Sequence, residues 1–524
     1  MKFVSEPSTT VKMQKMKQRV RWQDPVIRER GIDQTAVVID DEQTEEPEFS
    51  FMVVGDSGTG KHRGESPQRQ IAELMLEHRE ECRFVLHTGD VIYLVGSSEY
   101  YLSNFIKPYR EFLVGGSEPN KIRYDRMTFN QPFLPVPGNH DYYDLPVVFG
   151  ALSILSLPIR RLARSRVDLD VGWHGSWQGK AYAKAFLDYL EGISNPEELI
   201  RHLDRHYTAQ GTQGRCLCYK PSQFTRLPNR YYTFRYGGID FFAVDSNTFN
   251  DPAPLGKDKE SVKYRQQLEK RRVAIEREKA EISERFTELN PDDPEQSDQL
   301  DDLRTRLEQL EESEHDIDKQ LDTSHEPAVD QEQLDWLEHR LVESWNTESV
   351  RGRIIYFHHP PYVTEATKWD QAQTLAVRYR LRQVLDNVAK AVGSQAENRA
   401  IVDLVLNGHA HCLEYLRTVN TGHADSHINW LVCGGSGYSL RRQRDEGNQL
   451  SEVVPEETGK THLVAESHLF LGRTGSGSDK HRPYSFARID VKSGTPPKFV
   501  VRPIIAERHR SEWSSKSLPS FEMS

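Results

Sequence analysis

FMVVGDSGTGKHRG, residues 51–64, runs from an apolar segment into a Gly-rich turn, and two different chemistries can be read from it. Gly55, four residues, Gly60 and Lys61 nearly spell the loop that wraps a nucleotide's phosphates, whose next position is a Ser or Thr holding Mg²⁺. Here that position is His62. The same letters put a carboxylate, Asp56, at the tip of a strand, where it can hold a metal. The rest of the chain decides between the two.

Short apolar runs recur beyond Phe49–Val54, each closed by Gly or Pro: RFVLHTGD (83–90), FLPVPGNHD (133–141), IDFFAVDSN (239–247), RIIYFHHPP (353–361), IVDLVLNGHAH (401–411) and INWLVCGGSG (428–437). Continuous runs of this length predict strands buried on both faces. Helical patterns lie between several of them, as at 66–81 and 330–344, and strand–helix alternation predicts an α/β fold. The segment from Tyr484 reads as an antiparallel hairpin turning at Gly494. The polar residues 1–48 read as a flexible N-terminal arm, 49–505 as one domain and 506–524 as a C-terminal tail.

Two insertions break the alternation. Residues 146–228 carry helical pieces and many basic and aromatic residues, and follow a candidate site directly, as a lid would. In 257–325, Leu268, Ile275, Ile282 and Leu289 repeat every seven residues, and Leu300, Leu303, Leu307 and Leu310 alternate spacings of three and four. With NPDDPEQ between the halves, this predicts an antiparallel coiled-coil hairpin protruding as a spacer, or as a surface for a protein partner or self-association.

A net charge of −11 over 524 residues argues against general nucleic-acid binding. No apolar run nears the roughly 18 residues of a membrane span. The first residues lack the apolar core of a signal peptide. Five scattered cysteines suit a reducing compartment, so the expected location is cytoplasmic.

The acids, amides and imidazoles after these runs are Asp56, Asp90, Asn139, His140, His358, His409 and His411. All are expected along the carboxyl edge of one sheet, where α/β proteins place their sites. Their donor types suit Fe, Mn or Zn. Six ligands with one shared carboxylate suit two ions about 3.5–4 Å apart.

Gly55-Asp56-Ser57-Gly58, Gly89-Asp90-Val91-Ile92-Tyr93, Gly138-Asn139-His140-Asp141, His358-His359-Pro360 and Gly408-His409-Ala410-His411, in this order, resemble the five blocks of calcineurin-like metallophosphoesterases. More narrowly they resemble the purple acid phosphatase branch. The resemblance covers roughly 49–150, 229–250 and 330–505. It implies a four-layer sandwich of two mixed β-sheets flanked by helices, and a phosphoesterase, foremost a phosphomonoesterase, using a metal-activated hydroxide. It implies that Asp56, Tyr93 and His411 hold one metal, Asn139, His358 and His409 the second, and that Asp90 bridges them. Gly58 stands where most of the wider superfamily has His, and Tyr93 supplies the replacement. A phenolate suits Fe(III), paired with Fe(II), Mn(II) or Zn(II). His140 then stabilises the transition state or protonates the leaving group, Asp141 orients it, and His359 is a second imidazole facing the substrate.

Alternatives are a phosphodiesterase of the same superfamily, a P-loop NTPase using Gly55–Lys61 with Asp245 on Mg²⁺, and a non-catalytic scaffold. His202 and His206 with Cys216 and Cys218 are zinc-type donors, but Cys-x-Cys is a short spacing for a structural site, so ordinary histidines and thiols are expected. RRLARSR (160–166) reads as a solvated helix face.

Overall fold

The computed structural model describes residues 4–43, 46–60, 66–145, 175–290, 293–322, 327–396, 399–437, 439–453, 460–510 and 512–523. Lys61, His62 and the basic run 160–166 lie outside them, as does 146–174 of the expected lid.

The chain begins with α1 (Thr9–Arg19), α2 (Pro25–Glu29), β1 (Ile32–Ile39), β2 (Phe49–Val54), α3 (Pro67–His78), β3 (Val85–His87) and β4 (Phe133–Pro135). Then come α4 (Lys180–Phe186), α5 (Pro196–His206), β5 (Ala209–Gly211), β6 (Gly214–Tyr219), β7 (Tyr232–Tyr236) and β8 (Ile239–Ala243). These lead to α6 (Lys259–Glu288), α7 (Pro294–Leu321), α8 (Gln331–Trp345), β9 (Gly352–Phe357), α9 (Ala372–Val392) and β10 (Leu404–Asn407). Eight strands close the chain: β11 (Leu413–Thr418), β12 (Asn429–Cys433), β13 (Gln449–Val453), β14 (Thr461–Leu471), β15 (His481–Val491), β16 (Phe499–His509), β17 (Glu512–Ser517) and β18 (Phe521–Met523).

Every apolar run singled out above becomes a strand, and the strands form two mixed sheets. The larger has eleven, in the order β13-β14-β11-β12-β10-β9-β8-β7-β1-β6-β5. The smaller has seven, β17-β16-β15-β2-β3-β4 with β18 beside β16. Neighbours β8, β9, β10 and β12 run parallel, as do β2, β3 and β4. An aromatic layer joins the sheets: Phe51 meets Phe241 edge-on at 5.5 Å, and Phe84 meets Phe234 at 5.5 Å. Each such ring withdraws apolar area worth about 1.5–3 kcal/mol. Leu334, Leu337 and Leu341 of α8 and Val377 and Leu381 of α9 share a core with Ile355 and Val405 of the larger sheet. Helix α3 packs on β15 and β16 of the smaller sheet. The result is the expected four-layer sandwich.

Three expectations are corrected. The stretch 9–39, taken for a flexible arm, forms α1, α2 and β1, and β1 pairs in parallel with β6 and β7. Its sparse apolar residues hid this, because α1 is held as much by buried cations as by apolar packing. Lys12 is fully buried, paired with Glu6 and donating to the Asn247 carbonyl at 3.2 Å. Arg19 donates to the carbonyls of Trp177 and Gln178 at 2.7 and 2.6 Å. Residues 512–523, taken for tail, form β17 and β18 on β16; β17 is a polar, largely exposed edge strand, so its composition reads as loop.

The third correction concerns the hairpin. Helices α6 and α7 do pack through Leu268, Ile275 and Ile282 against Leu303, Leu310 and Ile317. They do not protrude, because α7 lies on the domain. Asp302 pairs with Arg473 and Lys480 at 2.8 and 3.0 Å, and Asp316 accepts the first-turn amides of Ala372 and Gln373 at 3.0 and 3.1 Å. Among the described residues no helix is long and apolar enough to cross a membrane.

On β11, Glu414 is fully buried and accepts the Thr364 amide and hydroxyl; burial outweighs these bonds and pushes its carboxyl up to about 7. The unfolded chain, with an ordinary value of 4.5, then binds fewer protons between those limits than the folded chain. Stability contributed by this group is therefore full below about pH 4.5 and is lost as pH rises toward 7, by up to about 1.4 kcal/mol per unit. Thermal melts from pH 5 to 8 should fall less steeply for Glu414→Gln than for the wild type; parallel curves would rule this out.

Candidate metal centre

Each candidate ligand sits just past a strand end. Gly55-Asp56 follows β2, Gly89-Asp90 follows β3, and Gly138-Asn139 follows β4, all in the smaller sheet. His358 follows β9, while His409 and His411 follow β10, in the larger. The site therefore bridges the carboxyl edges of both sheets rather than lining one, as expected from the sequence. The blocks alternate between sheets because the sheets pack face to face, which no linear pattern reports.

The turns are tight. Asp56, Asp90 and His409 have φ of +55°, +55° and +65°, a left-handed conformation costing about 1–3 kcal/mol per residue that concentrates at functional sites. At Gly89 (φ +102°) a Cβ would meet the His358 ring at 2.7 Å.

Two donor clusters result. Tyr93 Oη lies 2.9 Å from Asp56 Oδ1, 2.8 Å from Asp90 Oδ2 and 2.8 Å from His411 Nε2. Asn139 Oδ1 lies 2.9 Å from His358 Nε2 and 3.0 Å from His409 Nδ1, and His358 Nε2 lies 3.3 Å from Asp90 Oδ2. Asp90 Oδ2 belongs to both. None of the seven residues is more than 7% exposed.

The electrostatics fit a cationic occupant. Burial pushes the Asp56 carboxyl well up, with Asp90 adding to the rise and His358 opposing it. Burial and the two carboxylates push Tyr93 well up. Burial and the Lys368 ammonium hold His409 well below its ordinary value, and burial with Arg441 brings His411 down to about 3. The neutral imidazoles of His409 and His411 offer lone pairs, whereas at His358 burial is outweighed by Asp90 and the ring is raised to about 9, a positive charge that a metal ion there would replace. Carbonyls fix which nitrogen faces the cluster: Thr88 O faces His358 Nδ1 at 2.8 Å and Ser439 O faces His411 Nδ1 at 2.9 Å, turning each Nε2 to it. Bonds of about 2.1 Å put neighbouring ligand atoms of an octahedral ion about 3 Å apart, close to the spacings found. The donor set therefore fits two metal ions.

His140 lies beside this centre, its amide donating to Asp90 Oδ1 at 2.8 Å and its ring 4.1 Å from that of Tyr93. Its Nδ1 faces the Leu94 carbonyl at 2.5 Å. That carbonyl, not Asp141, orients the ring. Asp141 instead accepts the amides of Gly138 at 2.9 Å and Val91 at 3.2 Å, bracing the loop between two ligands, and burial pushes it up to about 7. His359 is also corrected as a substrate-facing ring: it is 1% exposed, with Nδ1 on the Ser246 hydroxyl at 2.8 Å and Nε2 3.4 Å from Asn250 Nδ2, so its hydrogen bonds go to the scaffold, although it stays close to His358 and His409.

Two observations weigh against the phosphate-loop interpretation of 55–61, whose Lys61 lies outside the described residues. A Cβ on Gly58 would lie 1.9 Å from the Val91 carbonyl, so this glycine serves close packing against the 88–92 turn. Asp245 pairs with the buried Arg230 at 3.1 Å. His202 meets Asp188 at 2.8 Å, while Cys216 is buried on β6. Among the described residues, the groups close enough to share an ion are Asp56, Asp90 and His358, and His358, His359 and His409.

Sequence inspection missed Lys368, Arg441 and Glu312. Lys368 Nζ is 3.0 Å from His409 Nε2 and 2.8 Å from Glu312 of α7, which also meets Arg441 at 3.2 Å. Burial alone would raise Glu312; Lys368 and Arg441 outweigh it and bring the carboxyl to about 2. A signal did exist. Asp301, Thr305, Glu308, Glu312, Asp316 and Lys319 recur at spacings of three and four, a second stripe on the helix that carries the leucine stripe.

Residues 49–264 match the model of the calcineurin-like phosphoesterase family, less than half the chain, and this supports a metal-dependent phosphoric ester hydrolase. That stretch carries Asp56, Asp90, Tyr93 and Asn139; the three candidate imidazoles, His358, His409 and His411, lie beyond it. Similar solved structures include the purple acid phosphatase PPD1 from yellow lupin (Lupinus luteus) seeds, at 12% identity over 92% of this chain and 55% of that one, with a TM-score of 0.39. Others are GAP50, the anchor in the inner membrane complex of Plasmodium (11% identity, 90% and 88% covered, TM-score 0.36), and PhoD (12%, 91% and 70%, 0.38). The chain thus spans about half the length of the lupin protein. No curated protein sequence matches it.

Proposed function

We propose that this protein hydrolyses phosphate monoesters at a two-metal centre, with Asp56, Tyr93 and His411 on one ion, Asn139, His358 and His409 on the other, and Asp90 on both. Asp90 Oδ2 carries this conclusion: a single carboxylate oxygen lies 2.8 Å from one donor cluster and 3.3 Å from the other, so Asp90 would be held in common by two neighbouring ions. When bound, such ions supply Lewis acidity and activation of water. The chain does the rest. Leu94 O holds the His140 ring so that Nε2 faces the centre, within reach of a leaving-group oxygen, to which it delivers a proton. Asp141 keeps the Gly138 and Val91 amides fixed, so Asn139 and Asp90 stay in register. The low exposure of these residues makes the electrostatics of the centre strong.

Tyr93 favours Fe(III) on its side, beside Fe(II), Mn(II) or Zn(II), and the five thiols favour a reducing, cytoplasmic setting. Iron-loaded protein should show a violet to pink charge-transfer band and hydrolyse phosphomonoesters faster than bis-esters. Tyr93→Phe, which removes one oxygen atom, should abolish the band and lower kcat about 10²-fold, or ~2.7 kcal/mol. A colourless two-metal protein indifferent to Tyr93→Phe would reject the iron–phenolate assignment.

A further inference from the structure

The centre has cations at its rim that none of the motif blocks provides. Lys368, between β9 and α9, has a side chain only 2% exposed, and its Nζ lies 3.0 Å from His409 Nε2. Arg441 is likewise 2% exposed and reaches the centre through the backbone, its amide donating to the His411 carbonyl at 2.9 Å. Both converge on one carboxylate. Glu312 Oε2 meets Lys368 at 2.8 Å and Glu312 Oε1 meets Arg441 at 3.2 Å. Arg441 also donates to Thr305 O at 2.8 Å and lies 3.5 Å from Glu308. Glu308 and Glu312 come from α7, a helix inserted into the domain from outside the motif blocks. Glu312 itself is 27% exposed, so it stands between solvent and the two cations beneath it.

We propose that Lys368 and Arg441 bind the anionic phosphoryl group of the substrate, and that the Glu312 carboxylate occupies their donors until a phosphate ester displaces it and α7 with it. The inference rests on the two-metal phosphoesterase proposed above. Its chemistry is one of matched anions. A carboxylate with two oxygens facing two separate cations is the arrangement that a phosphate dianion would copy and, with its higher charge, outcompete. Displacement is also needed on steric grounds, since the ligands beneath are at most 7% exposed. The contacts holding α7 to the domain are polar, Asp301 with Arg482, Asp302 with Arg473 and Asp316 with the α9 amides, whereas its apolar seam faces α6, so the two helices can shift together with that seam intact. The consequence is a specificity filter: esters with a dianionic terminal phosphate displace Glu312, and singly charged diesters do so poorly.

The test uses the full chain loaded with metal, with inorganic phosphate as the probe. Calorimetric titration should show phosphate binding weakened at least about tenfold by Lys368→Met and restored by Lys368→Arg, and tightened about three- to tenfold by Glu312→Gln. KM for a phosphomonoester should follow the same order. Hydrogen exchange of the 303–317 amides in the wild type should speed up when phosphate is added. Equal phosphate affinity in Lys368→Met with full metal content would overturn the cation assignment. Unchanged affinity in Glu312→Gln, or unchanged exchange, would reduce Glu312 to a structural clamp and overturn the displacement. A wild type that takes up no metal and hydrolyses no ester would defeat the underlying function instead, and this inference with it.

Discussion

Asp90→Asn should lower kcat for phosphomonoester hydrolysis at least about 10³-fold, equivalent to ~4 kcal/mol of barrier, while the far-ultraviolet circular dichroism stays unchanged. The substitution keeps the shape and tolerates the positive φ of +55°, because Asn, like Asp, is among the non-Gly residues enriched in the left-handed region. It also keeps one oxygen to accept the His140 amide, now 2.8 Å from Oδ1. What it removes is the charge at Oδ2, the atom shared with Tyr93 Oη and His358 Nε2. An amide NH₂ there offers hydrogens to the clusters where a lone pair is needed. Metal content measured on the purified variant should drop from two ions per chain toward one or none. Two retained ions with undiminished kcat would reject the bridging role, and with it the two-metal function.

The strand ends were legible because a strand buried on both faces is a continuous apolar run, and each candidate ligand follows such a run within a few residues. Distribution over two sheets was not, since β2 and β9 look alike in sequence while belonging to opposite layers. The N-terminal helix escaped because Lys12 and Arg19 are buried by pairing and carbonyl bonds, so their letters signal solvent while their surroundings do not. The α6–α7 hairpin was half legible. Its leucine seam has the heptad period, but Asp301, Glu312 and Asp316 look like any charged helix surface until the domain beneath them is known. His359 illustrates another limit: adjacency to a ligand cannot tell which way a ring turns, and Ser246 decides it. Asp141 was placed in the right loop with the wrong partner, because a buried carboxylate serves backbone amides as readily as an imidazole.

Arg230→Met should destabilise the fold by about 3–5 kcal/mol in urea unfolding, the largest stability effect expected of a single substitution here. Arg230 is 1% exposed and donates to Asp245 Oδ2 at 3.1 Å, to Thr248 Oγ1 at 3.1 Å and to Asp330, which caps α8. Asp245 and Asp330 are both fully buried, so removing the guanidinium leaves two carboxylates in the interior without their cation. Protonating them or admitting water costs more than the methionine's added apolar contact returns. The damage should reach the site. Asp245 also takes the Tyr142 hydroxyl at 2.6 Å, and Asn247 beside it donates to the Pro137 carbonyl at 2.9 Å, within the loop that carries Asn139 and His140. Activity of the folded fraction should therefore fall as well, through KM and kcat together. Adding Asp245→Asn and Asp330→Asn to Arg230→Met should recover a large part of the loss, because neutral amides no longer need the guanidinium. If the triple variant is no more stable than Arg230→Met, the cost lies in packing and not in uncompensated charge.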